Sequence, residues 1–255
     1  MSKLIIVPPF PIVVTAASRG SGAANLATAD PKEVWRDDAV GSEAIISIDL
    51  GMVRSIDTIF VGYISDPVNT AVTRLTGGSL APGEFIIQPN TALRVPDAIG
   101  LRSAVTHALW HGAPVDTRFI NIGLNQPDGL PLSAGIVLVG RAFNPSLGQE
   151  WGAGRRPIDT GSVTPLLSGG FAIVEGARKR HLNLTLGDLS EEEADQLEAL
   201  ALDRGETRPA LIVENVDRTP GLRQRIHYGL FERWRAFERR NRKQTRWEIG
   251  LEEWV

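Results

Sequence analysis

The sequence contains no cysteine among its 255 residues. A chain without thiols cannot form disulfides, thiolate zinc sites, iron–sulfur clusters or a cysteine nucleophile. It has no apolar run of about 18 residues, so no membrane-spanning helix is expected. The G-x-S-x-G elbow of esterases is missing, and the glycine-rich residues 18–22 lack the Lys-Ser/Thr pair of a phosphate loop. We therefore expect no enzyme, no metal centre and no bound cofactor.

Two pairs of residues still have the chemistry of metal ligands. His107 and His111 have the spacing of a metal pair, but no third histidine is near in sequence. Their strand-like surroundings favour two polar positions at a sheet edge. Asp37 and Asp38 lie together in a predicted loop, where a calcium ligand set is the alternative to a solvated loop.

Short apolar segments separated by turn residues dominate residues 1–143. The chain has 26 Gly and 16 Pro, which favour turns over long helices. Alternation of apolar and polar residues predicts strands at 45–50, 55–63, 84–87, 103–110, 118–124 and 136–140. Such a series predicts an antiparallel sandwich or barrel.

The remaining chain divides into two parts. Residues 144–169 hold so many Gly and Pro that we predict a linker or arm without regular elements. Residues 170–255 predict a second β-rich domain in the order ββ–α–β–β–β, with one helix over 190–203. Ser190 is its predicted N-cap, Glu193 completes a capping box, and Gly205 ends it.

The order of several short motifs in the first part resembles the discoidin-like, galactose-binding-type jelly roll. Asn25-Leu26 and Trp35-Arg36 precede an "I-x-I-D-L-G" strand at 46–51 and an "I-D-x-I" strand at 56–59. An "R-F-I-x-I" segment at 118–122 and the apolar residues 136–143 match the family's closing strands. The resemblance implies a jelly-roll domain over residues 1–143. The disulfide that closes extracellular members of this family is missing.

The second domain is similar to proteins of tailed bacteriophages. A strand pair, a short helix and a closing "W-x-I-x-L-E-E" strand at 247–253 resemble the tail-tube-type β-sandwich of tail tube and distal tail proteins. The resemblance implies a structural component of the tail tip or baseplate, a ring or hub around the tail tube. Its partners would be further copies of itself and neighbouring tail proteins. Its location would be the virion tail, after assembly in the host cytoplasm.

Positive charge is concentrated near the C-terminus. Residues 218–246 contain ten Lys/Arg and two Glu, a local charge of +8. Since the net charge of the chain is −3, the remaining residues together carry −11. We expect a subunit interface here, because arginine pairs well with carboxylates across interfaces. Nucleic acid and a solvated surface are the alternatives. The interface candidates are Arg235, Arg239, Arg240, Arg242 and Lys243.

Loop aromatics suggest a different partner, a surface glycan. A tryptophan face can stack on a sugar ring and an arginine can bond its hydroxyls, which makes Trp35, Arg36, Trp110 and His111 candidates. For both tryptophans we favour a ring that closes the sandwich core, and glycan contact is the alternative. Three functions follow: a virion structural protein first, a carbohydrate-binding adhesion module second and a cell-wall-acting enzyme last.

Overall fold

The protein is described by a computed structural model that covers residues 3–38, 43–65, 71–89, 91, 93, 95–100, 105–125, 131–232, 234–241 and 244–255. The chain divides into two compact units. We call Ser2–Asn144 with Leu211–Ile226 the N-terminal unit, and Pro145–Ala210 with His227–Val255 the C-terminal unit.

Strands make up most of the regular structure, with one α-helix in the described part of the chain. In chain order the elements are β1 (Ile5–Val7), β2 (Val13–Ala17), β3 (Trp35–Arg36), β4 (Ala44–Ser65), β5 (Ala71–Gly78), β6 (Phe85–Gln88), β7 (Val105–Asn125), β8 (Ser133–Ala134), β9 (Ile136–Gly140), β10 (Gly154–Asp159), β11 (Ser162–Pro165), β12 (Phe171–Val174), β13 (Arg178–Leu189), α1 (Glu191–Arg204), β14 (Ala210–Val213), β15 (Ile226–Phe231), β16 (Glu238–Asn241) and β17 (Gln244–Glu253). Short 3-10 turns lie at Ala23–Ala27 and Leu222–Arg225.

The long antiparallel pair β4–β7 forms the frame of the N-terminal unit. Sequence analysis predicts two strands in place of each, but both continue through irregular positions. The register of β4 against β7 shifts between Asp49 and Arg54. Gly51 adopts a φ of 76° there, a conformation that favours glycine. The bulge lets one strand turn without ending.

Both halves of this pair contribute to one hydrophobic core. Before the bulge Ile46, Ile48 and Leu50 point inward, and after it Ile56 and Ile59 do the same. One sheet has the order β2-β4-β7-β5-β6, and β9 adds to the second half of β4. The alternating pattern in the sequence therefore corresponds to an antiparallel sandwich with one filled interior.

The segment after the helix returns to the N-terminal unit. Strand β14 pairs antiparallel with β1, and Ile5 lies opposite Val213. Gln224 accepts a hydrogen bond from the Ala98 amide and donates one to Asp97. The predicted second domain starts at residue 170 and runs to the end, so the structure differs in placing residues 211–226 with the first unit. Sequence order alone does not reveal such a return.

The C-terminal unit contains a sheet with the order β15-β17-β13-β10, and β16 also pairs with β17. Apolar residues that sequence analysis places on one face lie directly opposite one another, as in the pairs Leu182–Leu251 and Leu184–Ile249. Helix α1 begins after Ser190 and ends at Gly205, and both capping-box hydrogen bonds are present. The helix buries Ala194, Leu197 and Leu200.

The predicted linker contains regular structure, which the sequence analysis does not anticipate. Strand β10 pairs with β13, and β11 pairs with β12. Pro157 lies in β10, at the edge of its sheet, where the missing N–H removes no ladder hydrogen bond. Proline and glycine here shape an edge strand and its turns.

The predicted fold class is confirmed: the protein is mainly β, its sheets are antiparallel, and one short helix accompanies the C-terminal sheet. No helix among the described residues is long and apolar enough to cross a membrane.

Candidate functional site

Trp35, the first glycan candidate, belongs to the core of the N-terminal unit. Its side chain is fully buried among Leu26, Ile46 and their neighbours. The indole N–H donates to the carbonyl oxygen of Arg19 at 3.2 Å. A ring without an exposed face cannot stack on a sugar in this conformation. Trp35 is therefore a core residue in the structure.

Trp110 and His111 both contact residues of the β-sandwich. Trp110 is 7% exposed and lies in the same core, opposite Ile59 on β4. His111 is half-buried, and its Nδ1 lies 3.0 Å from the Thr58 hydroxyl. Arg36 is exposed at the end of β3. The four candidates therefore do not form an open aromatic platform.

The two candidate metal-binding pairs also contact neighbouring groups of the protein. The ring of His107 lies against Phe60 and Tyr63, and its Nδ1 accepts the Tyr63 amide hydrogen. Asp37 forms an ion pair with Arg19 at 2.7 Å, and Asp38 accepts from the Gly20 amide at 3.1 Å. Within the described ranges no three ligating side chains are placed to hold a metal ion.

The basic segment 218–246 is divided between the two units. Its first part, with Arg223 and Arg225, belongs to the N-terminal unit, and its later part belongs to the C-terminal unit. Arg225 is buried and donates to the carbonyl oxygens of Pro220 and Arg218. Arg235 pairs with Glu248 at 2.8 Å. Some of the arginines of this segment therefore bind to groups within their own unit.

Only some of the interface candidates lie within the described residues. Arg239 is exposed on β16, and Arg240 follows it on the same strand. The side chain of Arg240 and the whole of Arg242 and Lys243 lie outside the described part. The proposed role of this cluster at a subunit interface stays a prediction.

The aromatic residues of the same segment pack against one another. Trp247 contacts Trp234 and Phe237 with ring centroids 5.7 and 5.3 Å apart. The Trp234 indole donates to the Gly205 carbonyl, and the Trp247 indole donates to that of Arg235. Because these rings contact each other and donate to backbone oxygens, they are packing elements of the C-terminal unit and not stacking platforms.

A polar recess lies on the outer face of the sheet β2-β4-β7-β5-β6. Because side chains alternate along strands, residues 45 and 47 of β4 point outward while Ile46 and Ile48 point into the core. Gly123 lies opposite both Ile45 and Arg74, and Asn121 lies opposite both Ser47 and Thr76. The register thus brings three strands, distant in sequence, to one place.

Gly123 forms the floor of this recess. A Cβ at residue 123 would overlap the Glu43 carboxylate, so glycine is what lets this carboxylate lie over the strand. The recess has a volume of about 110 Å³. Its lining residues are Glu43, Ile45, Arg74, Thr76, Gly83, Asn121 and Gly123.

Two contacts hold the walls in position. The Ser47 hydroxyl donates to the Asn121 side-chain oxygen at 2.8 Å, which turns the amide nitrogen towards Gly83. Glu84 accepts the backbone N–H groups of Ser79, Leu80 and Ala81 at 2.7–3.1 Å and so fixes the turn that carries Gly83. These backbone hydrogen bonds hold the pKa of the Glu84 carboxyl below its usual range.

The recess offers hydrogen-bond donors and acceptors at close range. Arg74 and the amide of Asn121 supply donors, and the carboxylate of Glu43 supplies acceptors. Ile45 is 40% exposed and adds an apolar edge. This combination fits a small polyhydroxylated ligand. Sequence analysis missed the site because its residues come from three strands, although the outward polar positions between buried isoleucines were a readable signal.

A larger polar pocket of about 300 Å³ lies in the C-terminal unit. Its carboxylates already have partners, since Glu248 pairs with Arg235 and Arg246, and Glu232 with His181. These contacts give the pocket a structural role in joining β13, β15 and β17.

Comparison with solved structures finds similarity over about half of the chain. A family 32 carbohydrate-binding module from NanJ of C. perfringens, solved with galactose, is 15% identical over 53% of this chain and 98% of that chain, with a TM-score of 0.39. The family 32 module of AlyQ, solved with 4,5-unsaturated mannuronic acid, is 16% identical over 49% of this chain and 94% of that chain, with a TM-score of 0.37.

A third similar structure is reduced XRCC1 bound to the catalytic domain of DNA polymerase β. It is 18% identical over 52% of this chain and 99% of that chain, with a TM-score of 0.41. Similarity at this level does not identify a ligand for this protein. No protein-family model matches the chain, and no curated protein sequence matches it.

Proposed function

We propose that the protein is a non-catalytic binding protein whose N-terminal unit recognises a carbohydrate. The observation that carries the proposal is the recess over Gly123, where a guanidinium, an amide and a carboxylate converge on a rigid sheet. Vicinal sugar hydroxyls both donate and accept, so they match a mixed set of polar side chains. Carbohydrates are also ligands in two of the similar structures, but the proposal rests on the recess itself.

The recess sets the expected size of the ligand. A volume of about 110 Å³ accommodates part of one sugar ring and not a long chain. Strands β4, β5 and β7 hold five of the seven lining residues, so little ordering of the backbone is expected on binding. We expect weak binding of a terminal sugar. Display of several copies of the protein together would strengthen this binding.

Glycan-array binding of the full chain, followed by titration calorimetry with the best sugar, tests this proposal. Gly123→Ala displaces the Glu43 carboxylate without adding a charge, and Asn121→Ala removes an amide, so each should weaken binding by about tenfold or more. Arg36→Ala is the matched comparison at the loop predicted from sequence. Loss of binding in Arg36→Ala alone would move the site to that loop, and the absence of any bound glycan would refute the function.

A second candidate function is that of a structural subunit in a larger assembly, the phage tail tip implied by the sequence resemblance. The hairpin β11–β12 supports this candidate, because apolar side chains are exposed along it. In that function the protein would contact its own copies and other tail proteins, and it would be located in the virion. The position of the chain in a virion density map tests this candidate directly.

A further inference from the structure

The hairpin formed by β11 and β12 has no further strand beside it in the described part of the chain. Ser162 pairs with Val174 and Pro165 with Phe171, and the two strands form a sheet of their own. Every residue of both strands is exposed. An isolated two-stranded hairpin is marginally stable in water, so a hairpin of this kind gains order when something covers it.

The two faces of the hairpin differ sharply. Residues directly opposite each other share a face, so Val163 and Ile173 lie beside Pro165 and Phe171. Val163, Ile173 and Phe171 are 61%, 67% and 65% exposed. We call Val163, Pro165, Phe171 and Ile173 the apolar face. The opposite face combines hydroxyls with small apolar residues: Ser162, Thr164, Ala172 and Val174.

The hairpin has an apolar tip and a groove at its base. Leu166 and Leu167 project at the tip, and the turn is closed by the Leu166 amide donating to the Gly170 carbonyl. At the base lies a groove of about 750 Å³. Val163 and Ile173 line the groove together with Asp159, Gly161, Ser162, Val174, Glu175, Gly176 and Arg178.

The hairpin carries no charge of its own. No Asp, Glu, Lys or Arg occurs in residues 160–174, in a chain that is 22% charged. Depletion of charge is typical of the buried centre of protein interfaces. Two identical surfaces repel each other where they carry like charges, so an uncharged surface is where a second copy can approach closely.

We propose that this hairpin is a self-association surface, on which the apolar faces of two copies stack with the strands running in opposite directions. The Leu166–Leu167 tip of each copy then lies over the base groove of the other. In this orientation the charged base, with Asp159, Glu175 and Arg178, meets an uncharged tip, whereas the parallel orientation would bring two bases of the same net negative charge together. A twofold arrangement of this kind closes as a dimer.

The area available fits an association of moderate strength. Six large apolar positions per copy take part, namely the four of the apolar face and the two leucines of the tip. Their exposed surface amounts to several hundred Å², comparable with the largest apolar patches on monomers and somewhat below the roughly 800 Å² per partner of a standard interface. We expect dissociation constants in the micromolar range.

Sedimentation velocity of the full chain across a concentration series tests the proposal. Wild-type protein should shift from one to two chains, and the shift should change little with salt because no charge is involved. Ile173→Asp should weaken association by roughly 100-fold, since each dimer contains the substitution twice. Ala172→Asp is the matched control: it is the preceding residue, exposed on the opposite face and away from the base groove, and should leave association within about threefold.

Single-cysteine variants provide a second measurement that does not depend on removing an anchor. The chain has no native cysteine, so Val163→Cys should give oxidised dimers with greater yield than Thr164→Cys on the opposite face. Monomeric wild-type protein at about 100 µM, or equal association of Ile173→Asp and wild type, would overturn the interface. Carbohydrate binding by such a monomer would leave the proposed glycan function intact, so the two failures are distinguishable.

Discussion

Ser190 and Glu193 exchange two hydrogen bonds at the start of helix α1. The Glu193 amide donates to the Ser190 hydroxyl at 3.2 Å, and the Ser190 amide donates to the Glu193 carboxylate at 2.9 Å. The second carboxylate oxygen accepts the Ser146 amide at 2.7 Å. One glutamate therefore fixes both the first helical turn and the loop before β10, and only the first of these roles is readable from the sequence.

Glu193→Ala should destabilise the protein more than Ser190→Ala. The serine substitution removes one cap acceptor and should cost about 1 kcal/mol. The glutamate substitution leaves the Ser190 and Ser146 amides without their carboxylate, so we expect a cost of about 2 kcal/mol. Urea unfolding monitored by circular dichroism measures both values, and equal costs would mean that the contact with Ser146 contributes nothing.

Leu197→Ala should cost about 2–4 kcal/mol in the free energy of unfolding, because this side chain is fully buried under the helix. Leu202 lies on the same helix and is 82% exposed, so Leu202→Ala is the matched control. It should change stability by less than about 0.5 kcal/mol. Chemical unfolding of the two variants compares them directly, and a similar small cost for both would show that the helix is peripheral.

The free energy of unfolding should fall in acid because two carboxylates, those of Asp49 and Glu193, become protonated. The hydrogen bond from Arg118 holds the pKa of Asp49 below its usual range. Burial alone would raise the pKa of Glu193, but hydrogen bonds from the Ser190 and Ser146 amides outweigh it and lower the pKa. A lowered folded-state pKa gives stability that is present above the unfolded-state pKa.

That stability is lost as the pH falls from about 4.5 through the lowered folded-state values. Thermal unfolding between pH 7 and pH 2.5 should show the loss, and Asp49→Asn with Glu193→Gln should flatten the profile in that range while lowering stability at pH 7. An unchanged slope in the double variant would contradict the assignment.

Sequence reasoning succeeded where the pattern is local. The residues predicted for the last strand of the first domain, 136–140, are those of β9, and the helix begins and ends at the caps that the sequence predicts. The burial of Trp35 agrees with the interpretation favoured from the sequence, a ring that closes the sandwich core. Sequence reasoning missed the recess over Gly123 and the hairpin 162–174, because strand register and side-chain exposure determine these features.

Arg19→Ala should be strongly destabilising. Arg19 and Asp37 form an ion pair at 2.7 Å, and the aspartate side chain is 2% exposed. Removing the guanidinium leaves a desolvated carboxylate, which costs about 3 kcal/mol or more. The double variant Arg19→Met, Asp37→Leu should recover much of that loss because no buried charge remains. Denaturant unfolding of the single and double variants tests this, and a double variant as unstable as the single one would contradict it.

The arginine cluster should act through charge and therefore through salt. Arg239 is exposed on β16, next to Arg240 and near Arg242 in sequence. If these side chains dock on an acidic surface of another subunit, the triple variant with alanine at all three positions should weaken assembly, and added salt should weaken it in the wild type. Arg235→Ala alone should have a small effect, because its pair with Glu248 is exposed and worth less than about 1 kcal/mol.

The salt dependence separates this cluster from the uncharged hairpin, whose association should persist as ionic strength rises. A gel-shift assay at low salt separates it from nucleic-acid binding, which would show a steep salt slope and no sequence preference. Normal assembly of the triple variant together with loss of DNA binding would assign the cluster to nucleic acid. Loss of assembly with no DNA binding in the wild type would assign it to a subunit interface.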